Sequence, residues 1–228
     1  ENSADVRTMI SNLTSFAEAL GRNSDKVDSI LAGIERMTGG AGKNAGAAFD
    51  LTALPASAIS LKPIGKHIAV PEPNALFATD TDKLLIQPES GEIAPLGTAK
   101  WTENLAKLLQ TKIVQSFENC GLLGEVNRPI EGLVPDFELL TEIRRFWLTS
   151  TPELAATVEI TAKLVTSEGQ LAGAKLFQAR VPVQSKDGAE AAKALDQAFH
   201  TVMLDILKWT QEKVAAAEPK KPGPKSHA

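Results

Sequence analysis

Leu154, Ala156, Val158, Ile160, Ala162 and Leu164 alternate with Ala155, Thr157, Glu159, Thr161 and Lys163. Only an extended strand points successive side chains to opposite sides, so this run is a β-strand with one face in a core and one more polar face. A strand of this length cannot stand alone and must have a long partner on at least one edge.

The partner lies just upstream. Phe137, Leu139, Thr141, Ile143, Arg145 and Trp147 alternate with Glu138, Leu140, Glu142, Arg144, Phe146 and Leu148. Both sets carry apolar residues, which predicts partial cover on both faces. The turn signal Ser167-Glu168-Gly169-Gln170 leads to a third strand over 174–183, completing an antiparallel meander. Earlier in the chain, Ala48-Phe49-Asp50-Leu51, His67-Ile68-Ala69-Val70 and Leu84-Leu85-Ile86-Gln87 read as short strands. Pro71, Pro73 and Pro88 end two of them.

Helical spacing appears in two places within this region. Trp101, Leu105, Leu108, Leu109, Ile113, Phe117 and Cys120 share one face of a helix expected over 98–119, with Gly121 as its C-terminal cap. Ala191, Leu195, Ala198, Val202, Ile206 and Trp209 form the buried stripe of a second helix over 189–214. The tail 216–228, with its Pro-Lys cluster, is expected to be disordered.

Ahead of the domain, Val6, Ile10, Leu13, Ala17, Leu20, Ser24, Val27, Leu31 and Ile34 recur with alternating spacings of four and three. That is a heptad seam sustained over about four heptads. It predicts a long amphipathic, coiled-coil-forming helix over residues 1–38. The glycine-rich stretch 39–46 reads as a flexible linker, and the second unit spans 47–215. A helix separated from its domain by such a linker is expected to associate with other copies. Val6, Ile10, Leu13, Ala17, Leu20, Val27, Leu31 and Ile34 are therefore the expected oligomerisation residues. The fold class expected is α+β: the N-terminal long amphipathic helix, then an α/β sandwich-like domain with a mainly antiparallel sheet and two packing helices.

Composition narrows the function. Acidic residues outnumber basic ones by 28 to 24, for a net charge of -4. This argues against nucleic acid as a partner, because displacing phosphate counterions needs a cationic surface. No apolar run approaches the about 20 residues that span a bilayer. Glu1 opens the chain in helical register without an initiator Met, so a longer protein is expected, with any membrane anchor upstream. Cys120 is the single cysteine, so no intrachain disulfide forms.

Chemistry-bearing motifs are sparse. His67, His200 and His227 lie far apart and no Cys-x-x-Cys exists, so no metal site is expected. Residues 39–43 superficially resemble a phosphate loop, but Met37 stands where its first glycine belongs and Asn44 replaces the hydroxyl residue. There is no Gly-x-Ser-x-Gly element for a nucleophile. Asp80 and Asp82 are the one carboxylate pair that an unrecognised hydrolase would use, and a solvated loop is the simpler reading. The chain is therefore expected to be no enzyme and to carry no cofactor.

Phe49-Asp50-Leu51, then Lys100-Trp101-Thr102-Glu103-Asn104-Leu105, then Asp136-Phe137-Glu138-Leu139-Leu140-Thr141-Glu142-Ile143-Arg144-Arg145-Phe146 form an ordered series. This series resembles the ABC-type transport auxiliary lipoprotein family over roughly residues 47–215. Residues 1–38 are similar to the C-terminal helical part of MCE (mammalian cell entry) proteins, whose helices assemble into hexameric lipid-conducting tubes, and this resemblance implies a lipid path along Val6, Ile10, Leu13, Ala17, Leu20, Val27, Leu31 and Ile34 as the alternative to oligomerisation. The joint resemblance implies a non-catalytic accessory component of an MCE-type ABC lipid-transport system, bracing or docking a helical tube between inner and outer membranes. It further implies a homo-oligomer, hexameric as those tubes are, with an ABC permease/ATPase complex and phospholipid or another lipid as partners. The location implied is the periplasm or cell envelope of a Gram-negative bacterium, tethered to the inner membrane by an upstream segment. Members usually carry a lipidated cysteine ahead of the domain, and none stands there in this chain. The alternative is a stand-alone periplasmic binding module for an apolar ligand or protein partner.

Overall fold

The structure is a computed structural model that describes residues 46–75, 79–122 and 125–217. In chain order the elements are β1 (Ala48–Phe49), β2 (Ile68–Ala69), β3 (Asn74–Ala75), β4 (Lys83–Gln87), β5 (Ala94–Trp101), α1 (Leu105–Asn119), β6 (Val126–Asn127), β7 (Phe137–Thr149), β8 (Ala155–Thr166), β9 (Leu171–Pro182) and α2 (Gly188–Ala217). The nine strands form one sheet.

The thirteen-residue β7 is its spine. One edge carries β8 along its whole length, and β9 follows in a regular antiparallel meander. On the other edge three short strands dock in series, all parallel to β7. Ile68 of β2 sits opposite Phe137, Asn74 of β3 opposite Glu142, and Ile86 of β4 opposite Leu148. Strand β6 extends the sheet beyond β2, β5 pairs antiparallel with β4, and β1 lies parallel on β5.

The sheet is therefore mixed, and five of its eight pairings are parallel. This corrects the expected mainly antiparallel sheet. The short strands belong to segments separated from β7 by tens of residues and by α1, and such pairings leave no local turn signal. The expected long N-terminal helix is likewise no part of the described fold, which has two helices, α1 and α2. Residues 1–38, with Val6, Ile10, Leu13, Ala17, Leu20, Val27, Leu31 and Ile34, lie outside the described residues.

Helix α1 starts later than its periodicity suggests. Residues 98–101 belong to β5, where Lys100 pairs with both Ala48 and Lys83 and Trp101 N–H donates to Asp82 C=O at 2.6 Å. The Asn104 side chain then accepts from Ala106 N–H and fixes the helix start at Leu105. At the head of α2, Asp187 accepts from Ala189 and Glu190 N–H at 2.9 and 3.2 Å. The Glu190 carboxylate reaches back to Ser185 Oγ and Gln184 N–H, a variant of the capping box. The Ser185 hydroxyl first, and then the Gln184 amide, hold the Glu190 carboxyl below its usual range.

Both helices and one face of the sheet bury a common core. Trp101, Phe146 and Phe199 meet edge-on or tilted, with centroids 5.8 and 6.4 Å apart, and Phe177 meets Trp209 at 5.6 Å. A β-bulge in β7 explains the mixed apolar pattern of that strand. Ile143 pairs with Ile160 and Arg145 with Glu159, leaving Arg144 as the extra residue. Arg144 and Arg145 both face outward, so Phe137, Leu139, Ile143, Phe146 and Leu148 all reach the core. On the opposite face, among the described residues, the Trp147 end is the covered part, where Trp147, Leu85 and Ala155 are buried.

Candidate functional site

The middle of the outer sheet face is open. Leu140 of β7 is 37% exposed, Leu171 of β9 62% and Leu176 of β9 48%. Register places Leu140 beside Lys163 and Glu142 beside Thr161, with Leu176 next in that row. Between β2 and β3 the chain leaves the edge of β7 through Pro71 and Pro73, neither of which has an N–H to donate. A concavity of about 250 Å³ opens there, lined by Glu72, Asn74, Leu140, Thr141, Glu142, Thr161 and Lys163. The charges near it form local pairs, Arg144 with Glu142 and Arg145 with Glu159 across strands, each at 3.3 Å. This outer face combines apolar patches with paired surface charge, a composition suited to a protein contact more than to catalysis.

A second recess of about 410 Å³ lies between residues 62–64 and the last turns of α2, with Lys62, Ile64, Lys208 and Val214 among its walls.

The closest grouping of chemistry-bearing side chains joins the segment after β1 to α2. Thr52 N–H and Thr52 Oγ1 donate to the two carboxylate oxygens of Asp196, each at 2.7 Å. His200 Nε2 sits 2.9 Å from Thr52 Oγ1 and 3.0 Å from Thr52 C=O. In a catalytic relay the imidazole bridges the hydroxyl and the carboxylate through its two nitrogens. Here the carboxylate binds the hydroxyl directly, and among the described residues Nε2 alone makes the polar contacts of the imidazole. The group is a clasp holding the first strand region onto α2. Thr52 carries no sequence signal for this role, because its partners lie 144 and 148 residues away.

The other candidates stay apart. Asp80 accepts from Asn104 Nδ2 at 2.8 Å, while Asp82 pairs with Lys83 at 3.6 Å. Cys120 is buried with Sγ 3.8 Å from Pro55 C=O, and burial pushes its thiol up against a weaker opposing backbone hydrogen bond with Ile59. His67 N–H donates to Asp136 at 2.9 Å. That amide, helped by Lys66, holds the Asp136 carboxyl below its usual range. Among the described residues no three His, Cys, Asp or Glu side chains group to hold a metal ion, and no helix is long and apolar enough to cross a membrane.

These features define a class: a two-helix domain on a mixed sheet, whose distinguishing surfaces are an open sheet face and a helix-side groove. The chain belongs to the family of ABC-type transport auxiliary lipoprotein components, whose model matches residues 49–207. It is 29% identical over 210 residues to an uncharacterized protein of Bradyrhizobium diazoefficiens. That match covers 92% of this chain and 57% of the relative, so the chain spans little more than half of that protein's length. The fold is similar to the crystal structure of protein XCC0632 from Xanthomonas campestris, assigned to family DUF330, with a TM-score of 0.67 and 26% identity. The similarity covers 75% of this chain and 97% of that one. A further uncharacterized crystal structure shares the fold at 15% identity and a TM-score of 0.54, over 71% of this chain and 99% of its own.

Proposed function

We propose that this domain is a non-catalytic accessory subunit of an MCE-type ABC lipid-transport system in the cell envelope of a Gram-negative bacterium. It works there in several copies and docks on or braces the parts that conduct lipid. The family match across residues 49–207, which takes in every described strand but β1's first residue and all but the last turns of α2, supports the coarser part of this reading, an ABC-type transport auxiliary component; the MCE part rests on the similarity of residues 1–38 to MCE helices. The open face of β7, β8 and β9 supports it, with Leu140, Leu171 and Leu176 available for contact with another subunit of that system.

The physical task in such a system is to keep acyl chains out of water, where each exposed methylene costs about 0.8 kcal/mol. An auxiliary domain contributes by holding the apolar conduit in place, and that calls for a rigid core and a contact face. Purification of the full-length protein from its native membranes in mild detergent tests the proposal. The ABC permease and ATPase subunits should co-purify in fixed ratio, and a Leu140→Glu, Leu176→Glu variant should lose them while keeping its melting temperature. Recovery of the protein without any transporter subunit would contradict the reading.

A further inference from the structure

We infer that the groove between residues 62–64 and the end of α2 is a binding site for a single-chain anionic amphiphile. This inference rests on the lipid-handling reading above and names a ligand class and a place for it on this domain.

The groove has a volume of about 410 Å³, within the range of small-molecule sites. Its accessible apolar surface comes from Pro63 and Ile64 on one wall and Ala215 on the other, with the core residue Val214 at its floor. Lys208, Glu212 and Ala215 share one face of α2 by their spacings of four and three. Lys62 rises from the opposite wall. Among the described residues neither lysine enters an ion pair, so two ammonium groups flank an apolar trough. Among the described lining residues Glu212 is the one carboxylate against two lysines, so they are net positive. That arrangement complements a carboxylate or phosphate head followed by an alkyl chain. It disfavours a cationic head.

The wall is built in advance of any ligand. Gln211 Nε2 donates to Lys62 C=O at 2.8 Å and ties it to the helix. Ile64 and Gly65 N–H donate to the two carboxylate oxygens of Glu125 at 3.0 and 3.1 Å. Leu61 N–H donates to Cys120 C=O at 2.8 Å. A loop pinned at three points loses little freedom on binding, which favours a real site over a surface crease.

Isothermal titration of the full chain with dodecanoate, below its micelle concentration, tests the inference. Dodecyltrimethylammonium and inorganic phosphate serve as the contrasting probes. The expected result is saturable binding of one dodecanoate per chain, much weaker binding of the ammonium amphiphile, and no displacement by phosphate. Lys62→Glu with Lys208→Glu should weaken dodecanoate about tenfold, as expected for reversing two rim charges. Ala215→Trp, which fills the trough without touching charge, should abolish it. Absence of saturable binding, equal binding by wild type and both variants, or equal affinity for the two amphiphiles would overturn the site. Phosphate displacing dodecanoate would overturn it too, by reducing it to an anion site. Co-purification with the transporter does not depend on this groove, so failure of the site and failure of the transport role are told apart.

Discussion

At the scale of single residues, a few positions carry disproportionate weight. Phe146 is fully buried between Trp101 and Phe199, so Phe146→Ala leaves a cavity that the fixed strand and helix cannot close. Its expected cost is about 3–5 kcal/mol, read from the midpoint of urea unfolding. Gly121 has φ of 110°, and an added Cβ would lie 3.0 Å from Leu61 C=O. Gly121→Ala should therefore destabilise by about 1–2 kcal/mol through backbone strain and contact together. Asp136 is held below its usual range chiefly by the His67 amide, so its folded pKa lies under its unfolded one. It stabilises the fold above the ordinary carboxylate range, and that contribution disappears as the pH falls through its folded value. The side chain is 40% exposed, so the contribution is below about 1 kcal/mol after solvent screening. Asp136→Asn should lower stability at neutral and alkaline pH by that amount and leave the acid end, where Asp136 is protonated, unchanged.

At the scale of elements, the bulge in β7 makes a sharper prediction. Deleting Arg144 leaves Ile143, Arg145 and Phe146 opposite Ile160, Glu159 and Val158 in an unbroken ladder with the same residues facing inward. That deletion should still unfold cooperatively. Deleting Glu142 removes the same length of chain but turns Ile143 outward and Arg144 inward, and should abolish cooperative unfolding in the same assay. The bulge also marks where sequence reading reached its limit. The alternation in 154–164 was enough to place β8, and the helical stripe around Leu195, Val202 and Ile206 was enough to place α2. Phe146 and Leu148 looked like a second apolar face because a bulge is a pairing feature and leaves no mark in the alternation itself. Strands β3 and β6 are two residues long and have no periodicity to detect. The helical stripe extends in sequence to Trp101, yet partners on β1 and β4 make residues 98–101 strand. The mainly antiparallel sheet failed for the same reason: parallel partners of β7 are chosen by distant packing. Of the surfaces, the Thr52 clasp and the groove beside α2 depend on contacts across more than a hundred residues and leave no local pattern.

At the scale of the whole molecule, the described residues spend their large side chains on one core and leave two surfaces for outside contact. A scaffold that presents a contact face needs that face held rigid, and the long antiparallel ladder of β7, β8 and β9 supplies this. In the proposed role the domain is a positioning part of a transport system, with no bond chemistry asked of it. The most direct measurement is the distribution of newly made phospholipid between inner and outer membranes, followed by pulse labelling in a strain whose copy of the protein lacks residues 49–207. The account predicts a slowed exchange of lipid between the two membranes, restored by the intact protein and not by the Leu140→Glu, Leu176→Glu variant. Normal exchange in the deleted strain would contradict it.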